Sequence, residues 1–134
     1  MTEMRRTIPA TLEALEAFLA EFRGRCECLK KLSDRFDAEL LFREVLTNAV
    51  LHGCHGDPCR QVLCAVRLSD RRVSIAVQDD GDGFDWRRPA TGTGDLRLSG
   101  RGLEILRRYA SRIRFNRKGN AATVIKRFGE TGKS

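Results

Sequence analysis

The feature that most narrows the folds open to this chain is a helical segment that is apolar almost all the way round. Leu40, Leu41, Phe42, Val45, Leu46, Ala49, Val50 and Leu51 crowd a single stretch. A helix of that kind has to be covered by other elements. Within it Glu44, Asn48 and His52 recur every fourth residue and so line up as one stripe. Two readings of the stripe are open: the solvent face of a largely buried helix, or the polar lining of a pocket. In a pocket, an Asn48 amide oxygen can hold a metal ion and a Glu44 carboxylate can act as a base. Ser33 and Asp34 are suitable N-caps, and Gly53 is a suitable stop, so the spacing predicts a helix from about Arg35 to His52.

The remaining pattern supplies the cover. Leu12, Leu15, Leu19 and Phe22 predict an earlier helix from Thr11 to Gly24, with an extension to Leu32 left open, after a short edge strand at 5–9. Val62, Cys64, Val66 and Leu68 alternate, a turn follows at 69–72, and Val73, Ile75 and Val77 alternate again, as in an antiparallel hairpin. A glycine-rich stretch at 81–102, a third helix from about Gly102 to Ala110, and two strands at about 113–117 and 121–128 complete the chain. The expected class is α+β. It is a two-layer sandwich with a mostly antiparallel sheet and helices on one face.

Two further motifs carry chemistry. Asp79-Asp80-Gly81-Asp82-Gly83-Phe84 follows an apolar strand. Its glycines let backbone approach a flat ligand, and its carboxylate can accept from an amino group. A plain acidic turn is the simpler alternative. A twelve-residue calcium loop is a weaker alternative, disfavoured by register: counted from Asp80, position five is Phe84 and position twelve is Thr91. Ser99-Gly100-Arg101-Gly102-Leu103 opens the third helix, and helix N-termini suit phosphate. A simple loop remains the alternative there. The C-terminal Gly129-Glu130-Thr131-Gly132-Lys133-Ser134 resembles a P-loop but has Arg127 at the first glycine position.

Charge and cysteine usage limit the partners. The net charge is +7, and residues 97–127 hold ten Lys/Arg against one acid, Glu104. Such a face suits nucleic acid, a phosphate-bearing ligand or an acidic protein. Aromatic residues beyond Tyr109 and Phe115 do not interleave with it, which disfavours single-strand stacking. The five cysteines, an odd number, read as free thiols, and their spacing builds no zinc site. No apolar run approaches the roughly 18 residues of a membrane span, and no signal peptide is visible, so a cytoplasmic location is expected.

Taken in order, Glu-x-x-x-Asn-Ala-x-x-His-Gly, Asp-x-Gly-x-Gly-Phe and Gly-x-Gly-Leu resemble the motifs of the GHKL (Bergerat-fold) ATPase superfamily. The short chain resembles the bacterial anti-sigma factor serine kinases within it. The resemblance covers about residues 5–128 of what is expected to be a single domain, 1–134. It implies that Asn48 coordinates Mg²⁺ between the phosphates of ATP and that Glu44 is the catalytic base. Asp79 would bind the adenine amino group, and Gly81 and Gly83 would shape the adenine end. Gly100, Arg101, Gly102 and Leu103 would face the phosphates, with residues 84–99 as a lid. Thr123 resembles a family threonine near the adenine, although Asn120-Ala121-Ala122 departs from the usual Gly-Thr pattern.

By the same resemblance the chain would be an ATP-dependent protein-serine kinase and an anti-sigma factor of a partner-switching system. Its partners would be an anti-anti-sigma (STAS-type) protein carrying the acceptor serine and a sigma factor. It would work as a homodimer, without direct nucleic-acid or membrane binding. The alternative is an ATP-binding interaction module that transfers no phosphate. A nucleic-acid-binding protein using the basic C-terminal third is a third class.

Overall fold

The computed structural model describes residues 2–81 and 100–129. The first helix, α1 (Leu12–Arg25), follows strand β1 (Thr2–Pro9). Its N-cap is Thr11, whose hydroxyl accepts from the Ala14 backbone N–H at 3.1 Å. Arg23 and Arg25 in its last turn complement the helix dipole. The buried face is Leu15, Phe18, Leu19 and Phe22. Leu12, expected on that face, is 52% exposed, because the stripe that meets the sheet begins one turn later.

A 3₁₀ turn (Cys26–Cys28) leads to α2 (Leu32–Thr47). This helix starts earlier than Arg35: Lys31 occupies the N-cap without a side-chain bond, and Ser33 and Asp34 fall inside the first turn. The expected run of α-helix to His52 also differs. From Asn48 to Gly53 the chain is π-helical, with Cys54 N–H reaching back five residues to the Ala49 carbonyl at 2.9 Å.

Five strands form one sheet in the order β1-β2-β3-β5-β4, with β2 Gln61–Leu68, β3 Arg72–Asp79, β4 Arg112–Phe115 and β5 Ala121–Arg127. Every ladder is antiparallel, which is a stricter arrangement than the sequence pattern suggests. Alternation is strict in the centre. Val62, Cys64, Val66 and Leu68 of β2 and Val73, Ile75, Val77 and Asp79 of β3 are buried, and the residues between them face outward. The helices, including α3 (Gly100–Tyr109), stack on that buried face, as an α+β sandwich requires.

Phe42 joins α2 to α1. Its ring stacks on Phe22 at 4.2 Å between centroids and meets Phe18 edge-on at 5.1 Å. Arg43–Glu16 and Arg23–Glu39 ion pairs tie the same two helices at the surface, where such pairs contribute at most about 1 kcal/mol. Truncating Phe42 to alanine is therefore expected to cost about 3–5 kcal/mol of stability, read from urea denaturation. Truncating Phe36, which is 63% exposed on the same helix, is expected to change stability by less than about 0.5 kcal/mol.

Candidate functional site

Strand β3 delivers Asp79 to the interior. The period that buries Val73, Ile75 and Val77 carries on to this last residue, so the strand itself turns a carboxylate inward. Asp79 is 7% exposed and is the buried charged side chain among the described residues. Its Oδ1 accepts from the Gly81 backbone N–H at 2.7 Å. A Cβ at Gly53 would overlap the Asp79 carboxylate, and a Cβ at Gly81 would overlap both that carboxylate and the Gly53 carbonyl. Only glycine at both positions permits helix end, carboxylate and turn to meet so closely.

A small cleft of about 30 Å³ opens beside this contact. Asn48, Ala49 and Gly53 line it from the π-helical turn, Asp79 from β3, Leu106 from α3 and Asn120 from the turn before β5. That volume is about one water, whereas small-molecule pockets are roughly 300–1,000 Å³. A flat heterocycle is admitted only as the walls part. A larger trough of about 470 Å³ lies on the sheet face turned away from the helices, floored by Ala65, Ala76, Ala121 and Thr123. No carboxylate of the described residues lines it, so the smaller cleft is the better candidate for chemistry.

The sequence-predicted residues divide into four groups. Asn48, Asp79 and Gly81 come together at the cleft. Glu44 stands one turn before Asn48, half-buried, and is not among the residues lining the cleft. Gly100, Arg101, Gly102 and Leu103 form the backbone of the first turn of α3, but the side chains of Arg101 and Leu103 lie outside the described residues. So do Gly83 and the lid segment, residues 84–99.

Thr123 is a correction. In the β3–β5 ladder Val124 pairs with Ile75, and both are fully buried, so Thr123, paired with Ala76, faces the other side of the sheet. Ala122 occupies the site side in its place and lines the cleft. His52 lies in the π-helical turn Asn48–Gly53, not in the α-helix that the spacing predicts there.

Two residues at the site had no motif to announce them. Arg60 precedes β2 and donates to the Asp80 carbonyl at 3.2 Å, with the Asp57 and Asp80 carboxylates each 3.9 Å away. Asn120 receives the Asp79 backbone N–H at its own carbonyl, 2.9 Å away. Only the strand register, which places it opposite Asp79, could have found it.

Burial pushes the Cys54 thiol up to about 11, with the nearby Asp79 acting in the same direction. All five cysteines are free, and burial raises those of Cys26 and Cys64 to about 12, which makes them poor nucleophiles at neutral pH. Burial also holds the Glu44 carboxyl above its ordinary range, with Arg43 pulling weakly the other way. No cluster of three His, Cys, Asp or Glu is present among the described residues. A single amide ligand does suit Mg²⁺, which keeps several waters and relies on substrate phosphates. No helix among the described residues is long and apolar enough to cross a membrane.

The family model of the histidine kinase-like ATPase domain matches residues 5–126. An anti-sigma F factor of Shouchella clausii is 28% identical over 105 residues, 75% of this chain and 68% of that protein. Anti-sigma F factors of Anoxybacillus flavithermus and Clostridium perfringens are each 26% identical, over 77% and 84% of this chain and 74% and 79% of their own lengths.

The raised Glu44 value has a stability consequence. Its carboxyl ionises less readily in the folded than in the unfolded chain, so its contribution is full at low pH and is lost as pH rises through the folded value. At neutral pH the ionised side chain thus opposes folding. Glu44→Gln is expected to raise the urea midpoint at pH 7, and the gain is expected to vanish by about pH 3.5, where both forms of the chain are neutral at this position.

Proposed function

Because the chain belongs to the histidine kinase-like ATPase domain family, we propose that it binds Mg-ATP in the Asp79 cleft and is a protein-serine kinase that doubles as an anti-sigma factor. The observation that carries this reading is the buried Asp79 carboxylate, held against Gly53 and Gly81 in one cleft with Asn48. A carboxylate so placed can accept from the exocyclic amino group of adenine. Guanine presents a carbonyl at that position, and two opposed acceptors would cost about 1–3 kcal/mol. The relatives named anti-sigma F factor support a partner-switching role, with a STAS-type anti-anti-sigma protein as acceptor and a sigma factor as the sequestered partner.

In this reading Asn48 holds Mg²⁺ through its amide oxygen, and the ion neutralises phosphate charge. The N-terminus of α3, beginning at Gly100, offers backbone N–H groups to the phosphates. Glu44, raised by burial, orients the acceptor serine and takes its proton. Phosphoryl transfer asks little more of a protein than such positioning and charge balance.

A second reading is an ATP-binding interaction module without transfer. It is favoured by one observation: Glu44 does not line the cleft. Asn48→Ala tests the metal ligand, and Glu44→Gln, with its transfer assay, separates the two readings. Asn48→Ala is expected to stay folded and lose Mg-ATP binding in a fluorescent-nucleotide titration. Retained tight binding would remove the metal-ligand role. Glu44→Gln is expected to bind ATP and partner nearly as wild type does. Its single-turnover transfer to a serine-bearing partner should fall about 10²- to 10⁴-fold. Unchanged transfer would refute the base, and lost ATP binding would place Glu44 in the nucleotide site instead.

A further inference from the structure

The turn between β4 and β5 contains a side-chain arrangement that none of the three motifs uses. Asp79 and Asn120 face each other just beyond the last paired residues of the ladder, Gln78 and Ala121. In a regular antiparallel pair of this type each residue gives its N–H to the other's carbonyl. Half of that exchange is present: the Asp79 N–H donates to the Asn120 carbonyl at 2.9 Å. The other half is not made by backbone. The Asn120 N–H donates instead to the side-chain Oδ1 of Asn116 at 3.0 Å. The Asn120 side-chain Nδ2 takes over and donates to the Asp79 carbonyl at 3.0 Å.

A second asparagine fixes the first. Asn116 Oδ1 accepts from the backbone N–H groups of Gly119, Asn120 and Ala121 at 2.7, 3.0 and 3.2 Å. Its Nδ2 donates to Asn120 Oδ1 at 2.6 Å. With that oxygen already accepting, the other end of the Asn120 amide has to be the donor facing Asp79, so the network determines the amide's orientation. Gly119, at φ 83, supplies the left-handed residue that lets the turn close around Asn116.

We propose that Asn120 is a positioning residue for base selection: by holding both backbone groups of Asp79, it fixes where the Asp79 carboxylate meets a purine. The proposal rests on Asp79 as the adenine acceptor. One observation joins the clasp to that role: Asn120 lines the same cleft as Asp79, beside the apolar Ala121 and Ala122 of β5. The carboxylate accepts from the Gly81 N–H at its own end, and Asn120 holds the main chain that carries it. Backbone anchoring matters here because discrimination between an amino group and a carbonyl depends on the acceptor staying in place.

The test compares wild type, Asp79→Asn, Asn120→Ala and the double variant. Each is titrated with a fluorescent ATP analogue, and ATP and GTP are then used as competitors. Wild type is expected to prefer ATP, and Asp79→Asn is expected to lose that preference. Asn120→Ala is expected to reduce the ATP-to-GTP ratio about 2- to 10-fold, the worth of one hydrogen bond. In the double variant the ratio should match that of Asp79→Asn alone, since residues acting as one unit are not additive. Asn120→Asp keeps the shape and turns the donor into an acceptor, and the ratio should fall at least as far; this variant serves where Asn120→Ala does not fold. A folded Asn120 variant with the full wild-type ratio overturns the proposal. So does a double variant whose ratio falls below that of Asp79→Asn. Equal ATP and GTP affinity in wild type, or an unchanged ratio in Asp79→Asn, overturns the adenine reading itself and the proposal with it.

Discussion

The structure depends on one close approach. The carbonyl of Gly53 at the end of the π-helical turn, the carboxylate of Asp79 at the end of β3, and the backbone of Gly81 meet with no room for a side-chain carbon at either glycine. For that contact to form, the helix has to end where the strand ends. The sixteen residues of α2 alone stop at Thr47, and the six-residue π turn carries the chain on to Gly53. Placing the less stable helix type at this point makes sense as a geometric adjustment, since π turns recur where function requires an off-register helix. The core on either side is conventional: Val45, Leu46 and Val50 from the helix against Val62, Ile75 and Val77 from the sheet.

A buried carboxylate has to be compensated, and the compensation is mostly backbone. Asp79 accepts from Gly81 N–H, and its main-chain groups are held by Asn120. Arg60 does not touch the carboxylate but braces the neighbouring Asp80. Its cation sits at the surface, where it adds little energy but can limit movement of the turn. Asp79 itself lines the cleft together with Asn48 and Asn120.

Much of this was legible in the sequence, for identifiable reasons. The β2–β3 hairpin could be read because strict alternation from Val62 to Val77 has no competing helical period. Asp79 could be read because the same alternation extends one step further. Thr123 was misplaced because a motif-based match gives order along the chain but not face. A one-residue difference in a strand exchanges one side of the sheet for the other. The π turn at Asn48–Gly53 went unread because it differs from an α turn in its hydrogen-bond partners, which apolar spacing does not report. Asn120 was invisible for a third reason. Its role is to replace a ladder bond, and asparagine before a strand otherwise reads as ordinary turn chemistry.

The cleft as it stands asks which wall yields to a nucleotide. Asp79 is fixed by three hydrogen bonds and by contact with Gly53 and Gly81, so its wall is the stiff one. Across from it stands Leu106 of α3, 1% exposed and held by apolar contact alone. Moving a leucine out of full burial costs about 1.5–3 kcal/mol. A heterocycle sliding between the walls restores most of that, because its flat faces are themselves apolar. Displacing Asp79 would instead break directional bonds whose groups the ligand could not satisfy in the same geometry. The cheaper route is for α3 to shift while the sheet side holds. That route moves the helix N-terminus at Gly100, the end suited to phosphate, together with the wall that closes on the base. Under the proposed reading the Asp79 end would select the base, and the N-terminal end of α3 would follow it towards the phosphates.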